Sequence, residues 1–168
     1  MRRKLHITAG AAALALLAGT AAHAVETQPQ LTLESADMIV DTCLDMARDE
    51  GWNLAVALYD QHGNLKRFSR MDGVQAHSIE IAHLKAVTSA KRPAPTGALH
   101  DFTYGDPDTS PGAFAFLPGI TVLRGGVPIM TESGAHLGGV GVSGATSQQD
   151  EDCANAGIEA IADRLAEH

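Results

Sequence analysis

Apolar positions recur at helical spacing from Ala36 through Ile39, Val40, Cys43, Leu44 and Ala47. Thr32 stands before them as a side-chain cap, Glu34 lies in the first turn and Gly51 follows the last turn, so a single amphipathic helix is predicted there. Asn53 to Tyr59 is aliphatic, Asp60-Gln61-His62-Gly63-Asn64 carries turn residues, and Leu65 to Arg70 resumes; this predicts an antiparallel hairpin with His62 at its tip. From about Gln75 to Ala90 the period returns to helical, with Ile79, Ala82 and Ala86 on one face, and Pro93 and Pro95 close the segment. Thr96 to Pro111, rich in Gly, Asp, Thr and Pro, reads as a long surface loop. Phe114 to Leu123, Val127 to Met130 and Ala135 to Ser143 read as strands of one sheet, separated by turns at Gly125-Gly126 and Glu132-Ser133-Gly134. Ser147 with Asp150 three residues on resembles a capping box, opening a last helix whose Cys153, Ala156, Ile158, Ala160, Ile161 and Leu165 form a broad apolar surface.

That order of helix, hairpin, helix, strands and helix describes an α/β (α+β) domain. Two terminal helices covering one sheet face would lie side by side and bring Cys43 toward Cys153.

The first 24 residues stand outside this pattern. Basic Met1-Arg2-Arg3-Lys4, a small and apolar run from Ile7 to Ala22, and Ala22-His23-Ala24 have the three-part build of a secretory signal, so residues 1–24 are expected to be removed and the protein to act in the periplasm or outside the cell. The paired arginines also suit export in the folded state, although His6 stands where an apolar residue is usual. A stable membrane anchor is not expected, because the run is short and rich in Gly and Ala, whereas a spanning helix needs about 20 strongly apolar residues. Of 168 residues, the 144 from Val25 onward suit one domain, residues 25–168. Losing the signal's three basic residues takes the formal charge from −8 to −11, which makes nucleic acid and anionic membranes poor partners. Cys43 and Cys153 would meet an oxidising compartment, where they form either a structural disulfide or two buried thiols.

Chemistry is harder to place. The run Gly138-Gly139-Val140-Gly141-Val142-Ser143-Gly144 lacks the Gly-Lys-Ser/Thr ending of a phosphate loop. It also has Ala145 where a nucleophile elbow needs glycine. It reads as a strand whose glycines permit close backbone approach, then a turn into a helix whose first amides suit a carboxylate or propionate. His77 and His83, six apart, do not share a helical face, whereas Glu80 and His83 do; that pair could ligate a metal, but a solvated polar stripe is the expected reading. Cys-x-x-Cys-His is absent, so any haem is non-covalent, with a His, Met or Tyr donor to iron and Arg70, Arg124 or Lys85 for its propionates.

Five segments taken in order carry more. They are Arg70-Met71-Asp72-Gly73, Ser78-Ile79-Glu80-Ile81-Ala82 with Lys85-Ala86, Gly125-Gly126-Val127-Pro128-Ile129, the glycine run above, and Gln149-Asp150-Glu151-Asp152 before Ala154 and Ala156. Together they resemble the GlcG/HbpS family, also called the haem-degrading domain family and similar to the PduO C-terminal domain. The likeness spans Leu31 to Leu165. It implies a profilin-like antiparallel five-stranded sheet with N- and C-terminal helices packed on it, a homo-oligomer, and a small-molecule ligand, haem or a related tetrapyrrole. No family motif fixes the haem contacts, and the cofactor site is expected at Arg70, His77, His83 and Lys85, with His77 or His83 on the iron. A haem-degrading or small-metabolite enzyme, an oligomeric sensory or docking protein, and a corrinoid carrier are the rival functions. His83-Leu84 before Lys85, Arg92-Pro93-Ala94-Pro95, and the loop from Thr96 depart from the family pattern.

Overall fold

The computed structural model describes residues 28–105 and 113–166; the expected signal lies outside them. Helix α1 spans Leu33–Glu50, with the Thr32 hydroxyl accepting from the Ser35 amide at one end and Gly51 in the left-handed region at the other. Strands β1 (Ala55–Asp60) and β2 (Leu65–Arg70) form the expected hairpin. Helix α2 covers Ala76–Lys91. Strands β3 (Gly126–Met130) and β4 (His136–Ser143) complete a sheet of four strands among the described residues, all antiparallel, in the order β2-β1-β4-β3. Helix α4 runs Ser147–Glu159, and α5 covers Ala162–Ala166. None of these helices is long and apolar enough to cross a membrane.

The alternation of small and large residues assigns the two sheet faces. Val56 and Leu58 of β1 lie opposite Val142 and Val140 of β4, and these four join Ile39, Val40, Cys43, Cys153 and Ala154 in one core beneath α1 and α4. On the other face Ala55 and Ala57 meet Ala82 and Ala86 of α2. Gly139 and Gly141 share that face, and α2 lies against their bare backbone. A Cβ on Gly141 would stand 2.2 Å from the Ala86 nitrogen and 2.3 Å from the Ala82 oxygen. A disulfide joins Cys43 to Cys153, fastening α1 to α4 over the core.

Two expectations are corrected. Thr96–Tyr104, expected as loop, is helix α3: Thr96 and Leu99 are buried, and the Thr96 hydroxyl accepts from the Gly126 amide at 2.9 Å, so tertiary contacts support a stretch of weak helix formers. Phe114 to Leu123, expected as a strand, holds a short 3-10 helix at Ala113–Phe116 and a turn closed by Ile120 N–H on the Leu117 oxygen. Pro118 removes a ladder donor there, and the chain then ties to α2 through the Thr121 amide and the Thr88 hydroxyl, 3.0 Å apart.

Candidate functional site

The α1–β1 junction, the start of α2 and the start of α4 surround a cleft of about 630 Å³, within the range of small-molecule sites. Its walls carry Trp52, Asn53, Gln75, His77 and Thr146, and Lys85 and Asp150 lie at its floor. Thr146, one residue before the position the sequence suggested, caps α4: its hydroxyl accepts from the Gln149 amide, and Gln149 Oε1 accepts from the Thr146 amide at 3.1 Å.

Asp150 is thereby released for another task. Its Oδ2 accepts from Lys85 Nζ at 2.7 Å and its Oδ1 from the Ala145 amide at 3.1 Å, while Lys85 also donates to the Val142 carbonyl at 2.8 Å. Both side chains are almost wholly buried, at 2% and 3% exposure. Loss of hydration pushes the Lys85 ammonium below its ordinary range and the Asp150 carboxyl above it, and their mutual attraction offsets part of each shift.

Of the residues singled out from the sequence, the structure brings His77 and Lys85 into this cleft. Arg70 lies next door, in a recess of about 340 Å³ with Arg48, Asn53 and Met71, and Asn53 is common to both hollows. His83 points elsewhere: its Nδ1 pairs with the Tyr59 hydroxyl at 3.0 Å and its ring stacks on Phe68 with centroids 4.7 Å apart. Burial holds this imidazole below its ordinary value. His77 and His83 therefore do not converge, and among the described residues no three His, Cys, Asp or Glu side chains gather as a metal site. Lys85 already has a counter-ion in Asp150. Arg124 bridges Glu151 of α4 and Asp101 of α3, at 3.2 and 3.7 Å.

Sequence reasoning missed Trp52 and Asn53, which no motif marks, and the pairing of Asp150 with Lys85, 65 residues apart. The Thr146 cap was legible, since Thr146-Ser147-Gln148-Gln149 fits the Ser/Thr-x-x-Glu/Gln pattern better than the choice of Ser147.

The family model for HbpS-like proteins, described as haem degrading protein HbpS-like, matches residues 31–159. The chain belongs to this family. Protein GlcG of Escherichia coli is 30% identical over 119 residues, 71% of this chain and 85% of GlcG. The corrinoid adenosyltransferase PduO of Salmonella typhimurium is 29% identical over 145 residues, 83% of this chain but only 41% of PduO. Among solved structures, a double mutant of HbpS from Streptomyces reticuli matches with TM-score 0.73 and 31% identity over 90% of this chain and 98% of that one. A PduOC–haem complex matches with TM-score 0.72 and 24% identity over 79% and 96%, a likeness of fold. The HbpS-like fold thus frames the cleft, and the five ordered segments lie within or beside the matched region as the resemblance required.

Proposed function

We propose that this chain is an exported haem-binding protein that holds haem non-covalently in the cleft between α2 and α4, with His77 as the iron donor. The observation that carries the reading is the imidazole of His77 on the wall of a ligand-sized cleft in an HbpS-like fold. Trp52 and Ile81 supply apolar surface for a macrocycle, and Arg70 in the adjoining recess supplies a cation for a propionate. The residues present fit the group. The family description and a haem complex of a structural neighbour support the choice of ligand. Bound haem would supply iron redox chemistry, and the family description names haem degradation; the chain's own residues would bind and orient the group.

The three-part opening of residues 1–24 supports export to the periplasm or beyond, and the Cys43–Cys153 disulfide suits an oxidising compartment. A homo-oligomer, as the resemblance implies, completes the proposal, and size-exclusion chromatography with light scattering checks it. The test of haem binding is an absorption titration of the protein beginning at Val25. A saturable haem band at one equivalent per chain is expected, and no saturable band would overturn the reading. Loss of that band with reductant and oxygen would add degradation to binding.

A further inference from the structure

A buried lysine beside a buried aspartate is an expensive way to join α2 to α4, because desolvation of both charges opposes their attraction and apolar residues of similar volume would hold the same contact. The Lys85–Asp150 pair nevertheless stands at the floor of the open cleft, where both side chains form part of its lining. Two of the three ammonium hydrogens are committed, to Val142 and Asp150, so among the described residues one donor position remains. Backbone fixes the pair from two sides, through the Val142 carbonyl and the Ala145 amide. The walls above it present Asn53, Gln75, Ser143, Thr146 and Gln149, groups that suit hydroxyls and carboxylates.

We propose that Lys85 is a nucleophile that forms an imine with small polar carbonyl compounds, aldehydes or α-oxo acids, entering this cleft, and that Asp150 moves the protons. The lysine ammonium passes one proton to Asp150 Oδ2, 2.7 Å away. The neutral amine attacks the carbonyl carbon; a carbon–nitrogen bond forms, the carbonyl π pair becomes an oxygen lone pair, and one proton moves from the now cationic nitrogen to that oxygen, giving a neutral carbinolamine. Asp150 protonates the hydroxyl, the nitrogen lone pair forms the carbon–nitrogen double bond as the carbon–oxygen bond breaks, and water departs, leaving a protonated imine on Nζ opposite the Asp150 carboxylate. No external oxidant or reductant is consumed. Desolvation of the amine works in the same direction, favouring its neutral form.

The inference goes beyond haem binding and is tested on haem-free protein, so the two stand or fall separately. The protein beginning at Val25 carries three lysines, Lys66, Lys85 and Lys91, and Lys66 and Lys91 are not among the residues that line the cleft. It is incubated with pyruvate, or with butanal, in the presence of cyanoborohydride, which reduces an imine to a stable amine, and the adduct is located by peptide mass mapping. The expected result is one adduct per chain on Lys85, in excess of Lys66 and Lys91 by about tenfold, with either probe or both. Lys85→Arg, which keeps a cation opposite Asp150, abolishes it, and Asp150→Asn slows it. Because the mapping is done on the unaltered protein, the result does not depend on either variant folding. Adducts spread over Lys66 and Lys91 with no preference for Lys85, or no adduct with either probe, would overturn the proposal.

Discussion

His83 shows how one side chain's surroundings decide between ligand and scaffold. Its ring lies between Phe68 and the Tyr59 hydroxyl, on the flank of α2 that faces β1 and β2, and burial lowers its pKa from the ordinary 6.5. The folded state then binds a proton less readily than the unfolded state, so the contribution of His83 to stability is present above pH 6.5 and lost as the pH falls through the lowered folded value. Thermal unfolding compared at about pH 7.5 and about pH 5 should show a larger drop in the native protein than in His83→Phe, which keeps the stacking and cannot titrate; equal drops would contradict the assignment. At this scale the sequence named His77, His83, Arg70 and Lys85 as one set. The structure divides them among a cleft, its neighbouring recess and a packed flank. Spacing along α2 already separates His77 from His83, but which of them meets the cleft depends on the long-range docking of α2 on the sheet.

Among the elements, α2 has the most demanding fit, because its backbone lies on glycines rather than on side chains. Gly141→Ala should lower stability by about 3 kcal/mol, since the added carbon would stand 2.2 Å from the Ala86 nitrogen. Gly51→Ala, where the obstacle is only the positive φ at the end of α1 and nothing lies within 4 Å, should lose about 1 kcal/mol. Urea unfolding of both variants checks the order, and equal losses would show that α2 shifts easily. The glycine run was legible as a strand that admits close backbone approach, and α1 with its caps, the β1–β2 hairpin with its turn residues and α2 with its closing prolines followed from periodicity. Helix α3 was not legible, because Thr and Gly open it and its support comes from Gly126, 30 residues later. Phe114 to Leu123 had the composition of a strand, but composition does not reveal whether a sheet edge is there to receive it.

For the molecule as a whole, the Cys43–Cys153 bond closes a span of 110 residues and so joins the first and last long helices. By the chain-entropy argument, Cys43→Ser with Cys153→Ser should cost about 4 kcal/mol. Chemical unfolding with and without reductant measures this, and an unchanged midpoint would show that core packing alone sets stability. The architecture was legible from the sequence as terminal helices over an antiparallel sheet, and the family match supports it. The cleft was not, since its lining comes from segments as distant as Gly51 and Asp150. The most direct test of the account is a haem titration of His77→Ala and His83→Ala beside the native protein. His83→Ala should bind as the native chain does, and His77→Ala should lose affinity by about tenfold or more with an altered iron band. A normal band in His77→Ala together with its loss in His83→Ala would contradict the placement of haem in the cleft between α2 and α4.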